Sequence, residues 1–394
     1  MPDLKKCQKE GNAIKWLSTA HLTCDLYNSF LNPLMPFIAA KLGFTMAIAT
    51  IIMGISHICS NLLQPIFGFF ADNIYKRFFI FWGVLLSSIF IPLAILAPNI
   101  FLLTMFMVLG SLGGSLFHPQ AFGFINYFSK SSCANNMGLF ICFGAIGFAL
   151  GPLVVTFIMQ YAGLEKIIYT SIFGLIVTAV MFVFVPKLSN IPRNPEPHKD
   201  FLASLKELLS NKQIDILIVI ATMKALITMS FNILLPFLWK EMGHSPFYIG
   251  CALFLFIFVG SISSYISPHV ERKYGAALVI YFSMLTTLPL VALFYMFLDK
   301  PVISLIIYAI TGFTTNFAQP VIVVLAQDTL PKYKSLVSGF MNGFCWGIVA
   351  VTLSFIGAVA QKIGIINVLL ILSTIPVICS FFVKYLNFST KSAE

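Results

Sequence analysis

The sequence predicts an all-α membrane protein with twelve transmembrane helices arranged in two six-helix bundles. Three observations support this prediction. Hydrophobic residues make up 59% of the 394 residues and charged residues only 10%, whereas ordinary soluble domains are about 25% charged. Apolar segments of the roughly 20 residues that a bilayer requires follow one another along the chain. The two halves of the chain also share a sequence pattern.

Twelve apolar spans are separated by short polar loops. Their predicted bounds are 16–40, 46–70, 78–97, 100–126, 135–160, 166–186, 213–239, 247–268, 276–297, 301–326, 334–360 and 364–386. The first span is longer than the apolar core of a signal peptide and lacks an A-x-A-like cleavage site. We therefore expect it to remain in the mature protein.

Basic residues concentrate in alternate loops. With a cytoplasmic amino terminus, 18 of the 24 lysines and arginines lie on the cytoplasmic side. The others are Lys41, Lys166, Lys240, Lys300 and Lys362 in external loops, and Lys224 within a span. This asymmetry follows the positive-inside rule. It predicts a multi-pass protein of a bacterial cytoplasmic (inner) membrane with both termini cytoplasmic, and it accounts for the net charge of +10 without a nucleic-acid partner.

The longest polar stretch divides the chain into two bundles, residues 1–186 and 213–394, joined by a cytoplasmic linker, residues 187–212. Three prolines make the first part of the linker unfit for a helix. In its second part, leucines and Phe201 recur at helical spacing with charged residues on other faces. This pattern predicts a short amphipathic helix on the cytoplasmic surface.

A shift of 200 positions aligns the two halves. It pairs Asn32 with Asn232, Leu34 with Leu234, Pro36 with Pro236, Phe37 with Phe237, and Gly43 with Gly243. The first and seventh spans thus occupy equivalent places, as in parallel repeats, which commonly enclose one substrate site near the membrane midplane.

The first span carries a polar stripe of His21, Asp25, Asn28 and Asn32 at helical spacing. A charged residue at mid-helix costs about 3 kcal/mol on insertion scales, so we expect Asp25 to face a wet cavity or a partner. Asp25 either takes up and releases protons during transport or forms a fixed ion pair. His21 either shares that proton or satisfies a backbone carbonyl.

The seventh span carries Lys224, Thr228 and Asn232 at four-residue steps. Lys224 either neutralises Asp25 or attracts an anionic substrate, because a desolvated ammonium strongly prefers a negative partner. The two roles can alternate if a substrate anion replaces the carboxylate when the carboxylate is protonated.

Further polar side chains are predicted to line a substrate cavity together with Asn28, Asn32, Lys224, Thr228 and Asn232. They are His57, Asn61, Gln64, Gln120, Asn316, Gln319, Asn342 and Trp346. His57, alone among apolar residues, is more typical of a hydrogen bond between helices than of a proton relay. His118, next to the helix-disrupting Pro119, is predicted to contact substrate or to carry a proton with His21 and Asp25.

Small and charged residues indicate which helix ends and crossings change during gating. Gly147, Gly151 and Pro152 allow a tight helix crossing and a bend, and the cytoplasmic end of the second span carries Gly68, Asp72, Lys76 and Arg77. We expect these seven residues to act in gating.

The spacing of cysteines and histidines shows no metal motif, and no nucleophile is paired with a base. The sequence therefore predicts no catalytic residue, no metal and no cofactor.

Several of these stretches together resemble the major facilitator superfamily, and within it the fosmidomycin-resistance group of drug exporters. They are the stripe from His21 to Asp25, Asn61-Leu62-Leu63-Gln64-Pro65 with Gly68 and Asp72, Phe117-His118-Pro119, Ala326-Gln327 with Leu330-Pro331, and Val337-Ser338-Gly339. Gly147, Gly151 and Pro152 look like part of the helix-five motif of antiporters. The chain departs from the group at Gln120, usually an acid, and at Gly123, usually basic.

The resemblance implies alternating access by rocking of the two halves, with efflux driven by inward proton flow. The sequence thus predicts a secondary transporter, and we expect a monomer that exports a small anionic or amphiphilic compound such as a drug or phosphonate. The alternative is an importer or uniporter of a metabolite anion on the same fold. In that case Lys224 binds the anion and Asp25 is structural.

Overall fold

The computed structural model describes residues 2–64, 66–67, 78–128, 133–185, 201–330, 337 and 340–388. Helices account for nearly all of this part of the chain, and it contains no β-strand. The predicted linker prolines Pro192, Pro195 and Pro197 lie outside the described residues. The described chain divides into two compact units.

Unit 1 takes in the described residues up to Val185 together with Leu235–Phe254. Its helices are α1 (Pro2–Asn28), α2 (Leu31–Leu42), α3 (Met46–Asn61), α4 (Phe78–Ile95), α5 (Ile100–Phe128), α6 (Cys133–Tyr161) and, after the short 3₁₀ helix Leu164–Tyr169, α7 (Thr170–Phe184). The segment Leu235–Phe254 adds the end of one long helix and the start of the next.

Unit 2 contains the remaining described residues. Its helices are α8 (Phe201–Leu209), most of α9 (Lys212–Glu241) and of α10 (Pro246–Tyr274), α11 (Ala276–Leu285), α12 (Thr287–Met296), α13 (Pro301–Phe317), α14 (Gln319–Thr329), α15 (Cys345–Ile363) and α16 (Ile365–Cys379), with a π-helical turn Phe340–Phe344 and a final 3₁₀ helix Ser380–Tyr385. The predicted boundaries of the two bundles stay a prediction.

The predicted all-helical membrane architecture is confirmed. Ten segments in the described part of the chain are long and apolar enough to cross a membrane, and α3 is apolar but shorter. With the first predicted span, which α1 and α2 share, these segments follow the order of the twelve predicted spans. The predicted amphipathic helix is present as α8, where Leu208 is buried while Lys206 and Glu207 are exposed.

In the described part of the chain, four predicted spans are broken shortly before a proline, where the sequence analysis expected one continuous helix. The first ends at Asn28 and resumes at Leu31, ahead of Pro33, and the helix of the second ends at Asn61, ahead of Pro65. The others break around Thr286, ahead of Pro289, and around Ala318, ahead of Pro320. Proline has no N–H to donate to the carbonyl four residues earlier, and its ring crowds that carbonyl. One consequence is a correction: Asn32 lies on α2, so the stripe of His21, Asp25, Asn28 and Asn32 does not occupy one helix.

The core of unit 1 positions the candidate site. Buried apolar residues of α1, α4, α5, α6 and α7 form one cluster, in which Leu17, Cys24, Phe117 and Phe140 are fully buried. α4 and α5 approach closely because Gly83 and Gly113 lack side chains, and a Cβ on Gly83 would lie 2.6 Å from Phe117 Cβ. α1 is thereby held between α5 and α6, and its polar residues face both neighbours.

Candidate functional site

Asp25 lies between two histidines from different helices. Its Oδ2 is 3.2 Å from Nε2 of His21, one turn earlier on α1, and its Oδ1 is 3.3 Å from Nε2 of His118 on α5. The three side chains are 7–17% exposed, so they lie largely in the helix-packed interior. The structure thus brings together the three residues predicted to carry protons, and we call them the His–Asp–His cluster.

His21 is held in one orientation by α6. Its Nδ1 lies 2.8 Å from the carbonyl oxygen of Phe140, and its ring stacks on the Phe140 ring at 4.1 Å between centroids. A carbonyl oxygen only accepts hydrogen bonds, so Nδ1 carries a proton and donates it. A neutral His21 therefore presents the lone pair of Nε2 to Asp25. The pair forms a hydrogen bond only when one more proton is present, on His21 or on Asp25.

A row of glycines on α6 contacts α1 at and beyond the cluster. A Cβ on Gly144 would lie 2.5 Å from His21 Nε2 and 2.8 Å from Nδ1. A Cβ on Gly147 would overlap the carbonyl of Leu22, and one on Gly151 would overlap Ser29 and the carbonyl of Leu26. The predicted gating glycines Gly147 and Gly151 are thus positions where the two backbones touch.

Pro152 lies where the start of α10 packs on α6. Its carbonyl accepts a hydrogen bond from Thr156 at 2.6 Å, and a Cβ on Gly250 would lie 2.7 Å from the same carbonyl oxygen. Nearby, Lys240 Nζ donates to the carbonyl of Pro36 at 2.8 Å. These contacts join Leu235–Phe254 to the rest of unit 1. They lie at the end of the helices that the charge pattern predicts to be external.

The cavity residues predicted on α1 and α3 have different surroundings. Asn28 and His118 both approach Gly114 of α5, where a Cβ would lie 3.0 Å from Asn28 Nδ2 and 3.7 Å from His118 Nε2. Ser60, which the sequence analysis did not single out, is the third neighbour of Gly114.

Asn61 and Gln64 donate to carbonyls one turn earlier in the same segment. His57 is half-buried, and Asn32 is buried on α2.

Gln120 has a structural contact. It is 4% exposed, and its Oε1 accepts a hydrogen bond from the backbone N–H of Ile80 at 2.9 Å. Ile80 lies in the first turn of α4, where backbone N–H groups lack partners within the helix. Gln120 therefore caps α4 from α5.

Lys224 is the buried cation of unit 2. It is 4% exposed, and its Nζ has no hydrogen-bond partner among the described residues. One turn on, Thr228 is buried, and its carbonyl accepts from Asn232 Nδ2 at 2.8 Å. Within the same described part, Asn232 Oδ1 also has no partner. This stripe of α9, here called the Lys224 stripe, thus offers an amino group that no other described residue pairs with.

The other predicted cavity residues of unit 2 lie near breaks in helices. Pro320 cannot donate to the carbonyl of Asn316, and Ser264 on α10 donates to it instead at 3.3 Å. Asn316 Nδ2 donates to the carbonyl of Gly312 at 2.9 Å, and Gln319 begins α14. Trp346 is half-buried in the first turn of α15. The side chain of Asn342 lies outside the described residues, as do Gly68, Asp72, Lys76 and Arg77.

A family model described as Major Facilitator Superfamily matches residues 17–353, which is most of the chain and both units. The chain belongs to the major facilitator superfamily. Membership of this superfamily makes the chain a transporter and not an enzyme. The resemblance seen in the sequence is confirmed.

Two curated relatives cover almost the whole chain. The fosmidomycin resistance protein of Escherichia coli (strain K12) is 24% identical over 370 residues, covering 92% of this chain and 89% of the relative. The uncharacterized MFS-type transporter YfnC of Bacillus subtilis (strain 168) is 21% identical over 387 residues, covering 95% and 93%. Both matches span the two halves of the chain.

Solved transporters have the same fold. A bacterial homologue of the human lysosomal transporter Spinster, in an inward-facing and occupied conformation, matches with a TM-score of 0.74 at 13% identity over 94% of this chain and 95% of that one. The nucleoside transporter NupG matches with a TM-score of 0.69 at 17% identity over 95% and 98%. At these identities the likeness shows the fold alone.

The sequence analysis left open that His21 satisfies a backbone carbonyl, but it identified neither Phe140 as the source of that carbonyl nor Gly144 as the residue packed against the His21 ring. The carbonyl of Phe140 and the bare backbone of Gly144 both define where His21 lies. Gly144 belongs to a visible small-residue spacing with Gly147 and Gly151, which signalled close packing. No feature of the sequence identified His21 as the side chain packed there.

Proposed function

We propose that this chain is a proton-coupled exporter of a small anionic or amphiphilic compound, such as a drug or phosphonate, and that it works by alternating access. The observation that carries the proposal is the buried His–Asp–His cluster. A carboxylate with an imidazole on each oxygen places three groups that can take up or release a proton within reach of one another in the membrane interior.

The number of protons on the His–Asp–His cluster supports coupling of proton movement to transport. With Nδ1 of His21 committed to Phe140, the His21–Asp25 contact needs a further proton to become a hydrogen bond. When that proton leaves, a lone pair on Nε2 faces a carboxylate oxygen at 3.2 Å, and the two repel each other. Loss of one proton thus changes the contact between the two side chains from attraction to repulsion. Such a change can bias a two-state helix packing.

The Lys224 stripe supports an anionic substrate. An unpaired ammonium is costly in a low-dielectric interior, so Lys224 is expected to gain a negative partner. Asp25 already has a histidine on each oxygen. Of the two roles considered for Lys224, attraction of a substrate anion is therefore the one we propose.

The direction of transport and the compound class are proposed from a relative. The first relative described above is a fosmidomycin resistance protein, and lowering the intracellular concentration of a drug is one way to confer resistance. An anionic drug agrees with Lys224, whose Nζ has no partner among the described residues. We place the protein in a bacterial cytoplasmic membrane with cytoplasmic termini, as the basic loops predict. We propose that the proton gradient is its energy source.

The proposal is tested with purified protein in liposomes containing a pH-sensitive dye. A pH gradient is imposed, and fosmidomycin and a panel of phosphonates and carboxylates are added one at a time. We expect at least one anionic compound to accelerate dissipation of the gradient and to accumulate only while the gradient persists. Liposomes without protein provide the background.

An importer or uniporter would behave differently in the same assay. Compound movement would then follow its own concentration gradient and would be insensitive to a protonophore. That result would overturn proton coupling while leaving Lys224 as an anion site. Uptake of neutral or cationic compounds alone would overturn the anionic substrate class instead.

Gly144→Ala is expected to impair proton-driven transport severely without removing any ionisable group. The added methyl would lie 2.5 Å from His21 Nε2, so the ring must move away from Asp25 and the Phe140 carbonyl. We expect the initial rate of gradient-driven flux to fall at least about tenfold, as displacements of about 1 Å in reactive sites do. The measurement is flux in the liposome assay.

Gly138→Ala on the same helix is the matched control. Nothing lies within 4 Å of a Cβ at Gly138, so the same chemical change should leave flux unchanged. Equal rates for Gly144→Ala and wild type would show that the orientation of His21 is irrelevant to coupling.

A further inference from the structure

We propose that His21, Asp25 and His118 form a binding site for a divalent transition-metal cation of the Zn²⁺ type. The three residues each offer one ligand atom, and these atoms lie within 4.8 Å of one another. Two imidazoles and one carboxylate suit borderline cations such as Zn²⁺. The site does not depend on proton-coupled transport.

The spacing of the ligand atoms fits a cation better than it fits direct hydrogen bonds. Charge-assisted N–H···O contacts are usually about 2.7–2.9 Å long, whereas both histidine nitrogens lie 3.2–3.3 Å from Asp25 oxygens. Zinc ligands at about 2.0–2.1 Å in tetrahedral geometry are separated by roughly 3.3 Å. The two His–Asp separations therefore match those around a bound cation, and the three ligand atoms, which lie within 4.8 Å of one another, would close to that spacing when the cation binds.

The hydrogen bond of His21 to Phe140 sets the tautomer that a metal requires. Metal-binding histidines usually donate their second N–H to a carbonyl or carboxylate, which fixes the ring and leaves the other nitrogen free for the metal. His21 Nδ1 makes this bond at 2.8 Å, so Nε2 is the coordinating atom. Phe117, Phe122 and Phe140 surround the His21 ring and provide an apolar shell.

The charges of the ligands suit a divalent cation. Such a cation brings two positive charges to one carboxylate, and neutral imidazoles supply lone pairs for the other two bonds. The titratable groups that meet here are His21, Asp25 and Cys24 on α1 and His118 on α5, while α6 faces the cluster with Phe140 and Gly144. The Cys24 thiol is 3.6 Å from the Ser87 hydroxyl and is not among the ligands.

The test is calorimetric titration of the purified protein, freed of its affinity tag and reconstituted without substrate, with ZnCl₂. We expect saturable binding of one Zn²⁺ per chain. Loading with Co²⁺ should give the visible absorption of a low-symmetry site with nitrogen and oxygen ligands. Absence of saturable binding would overturn the proposal.

Variants locate the cation. His21→Asn, Asp25→Asn and His118→Asn should each weaken Zn²⁺ binding at least about tenfold, because even second-shell changes cost 10–100-fold in metal affinity. His269→Gln, a change on α10 outside the cluster, should bind Zn²⁺ like the wild type. Circular dichroism and gel filtration identify any variant that fails to fold. The Zn²⁺ affinities of the variants that do fold then decide whether the cation binds at the cluster. Unchanged affinity in the folded variants would assign the metal to another place.

Discussion

Asp25→Asn is expected to reduce gradient-driven transport to the background of liposomes without protein. An amide accepts a hydrogen bond from a histidine but cannot take up and release a proton in the physiological range. The two contacts of 3.2 and 3.3 Å can persist in the variant, so the packing of α1 against α5 should survive. Initial rates in the liposome assay, with and without an imposed pH gradient, measure the effect.

Exchange of labelled for unlabelled compound across the liposome membrane separates coupling from structure. Exchange needs substrate binding and alternating access but no net proton movement, so Asp25→Asn should retain it. Asp299→Asn makes the same chemical change at an exposed acid and should retain both activities. Undiminished gradient-driven flux in Asp25→Asn would count decisively against the proposed coupling. Loss of exchange as well would indicate that Asp25 is a structural residue.

The architecture was predictable because composition and periodicity act locally. Each apolar span needs only its own residues to indicate a membrane helix, and the end of α4 at Ile95 or the start of α10 at Pro246 falls within a few residues of the prediction. The breaks were less visible. Pro33 and Pro289 indicate a missing hydrogen bond, but whether a helix bends or breaks depends on which neighbouring groups satisfy the freed carbonyl.

The chemistry of the site was predictable in part. Asp25 stood out because an acid within a span is costly, and His21 stood out by its helical spacing. His118 was selected for its place beside Pro119, yet its contact with Asp25 depends on how α5 packs on α1. The same holds for Gln120, whose bond to Ile80 no local pattern indicates. Long-range packing thus decided which polar residues met and which capped a helix.

Lys224→Met is expected to weaken binding of anionic compounds strongly. Hydrogen bonds to charged groups contribute about 1.5–3 kcal/mol, so the dissociation constant should rise roughly 10- to 100-fold by the same measure. Methionine fills a similar volume without charge. Direct binding of the active compound from the liposome assay, measured by calorimetry, gives the constants. Lys362→Met replaces an exposed lysine and should leave the affinity unchanged.

The stability of the empty protein distinguishes a substrate site from a structural ion pair. Removing one partner of a buried ion pair destabilises a protein, because the other charge stays buried and uncompensated. Removing a buried ammonium that has no partner relieves a desolvation cost instead. Since Nζ of Lys224 has no partner among the described residues, Lys224→Met should raise the melting temperature without substrate while lowering the affinity. A lower melting temperature would place Lys224 in a structural pair and would assign anion recognition to other residues.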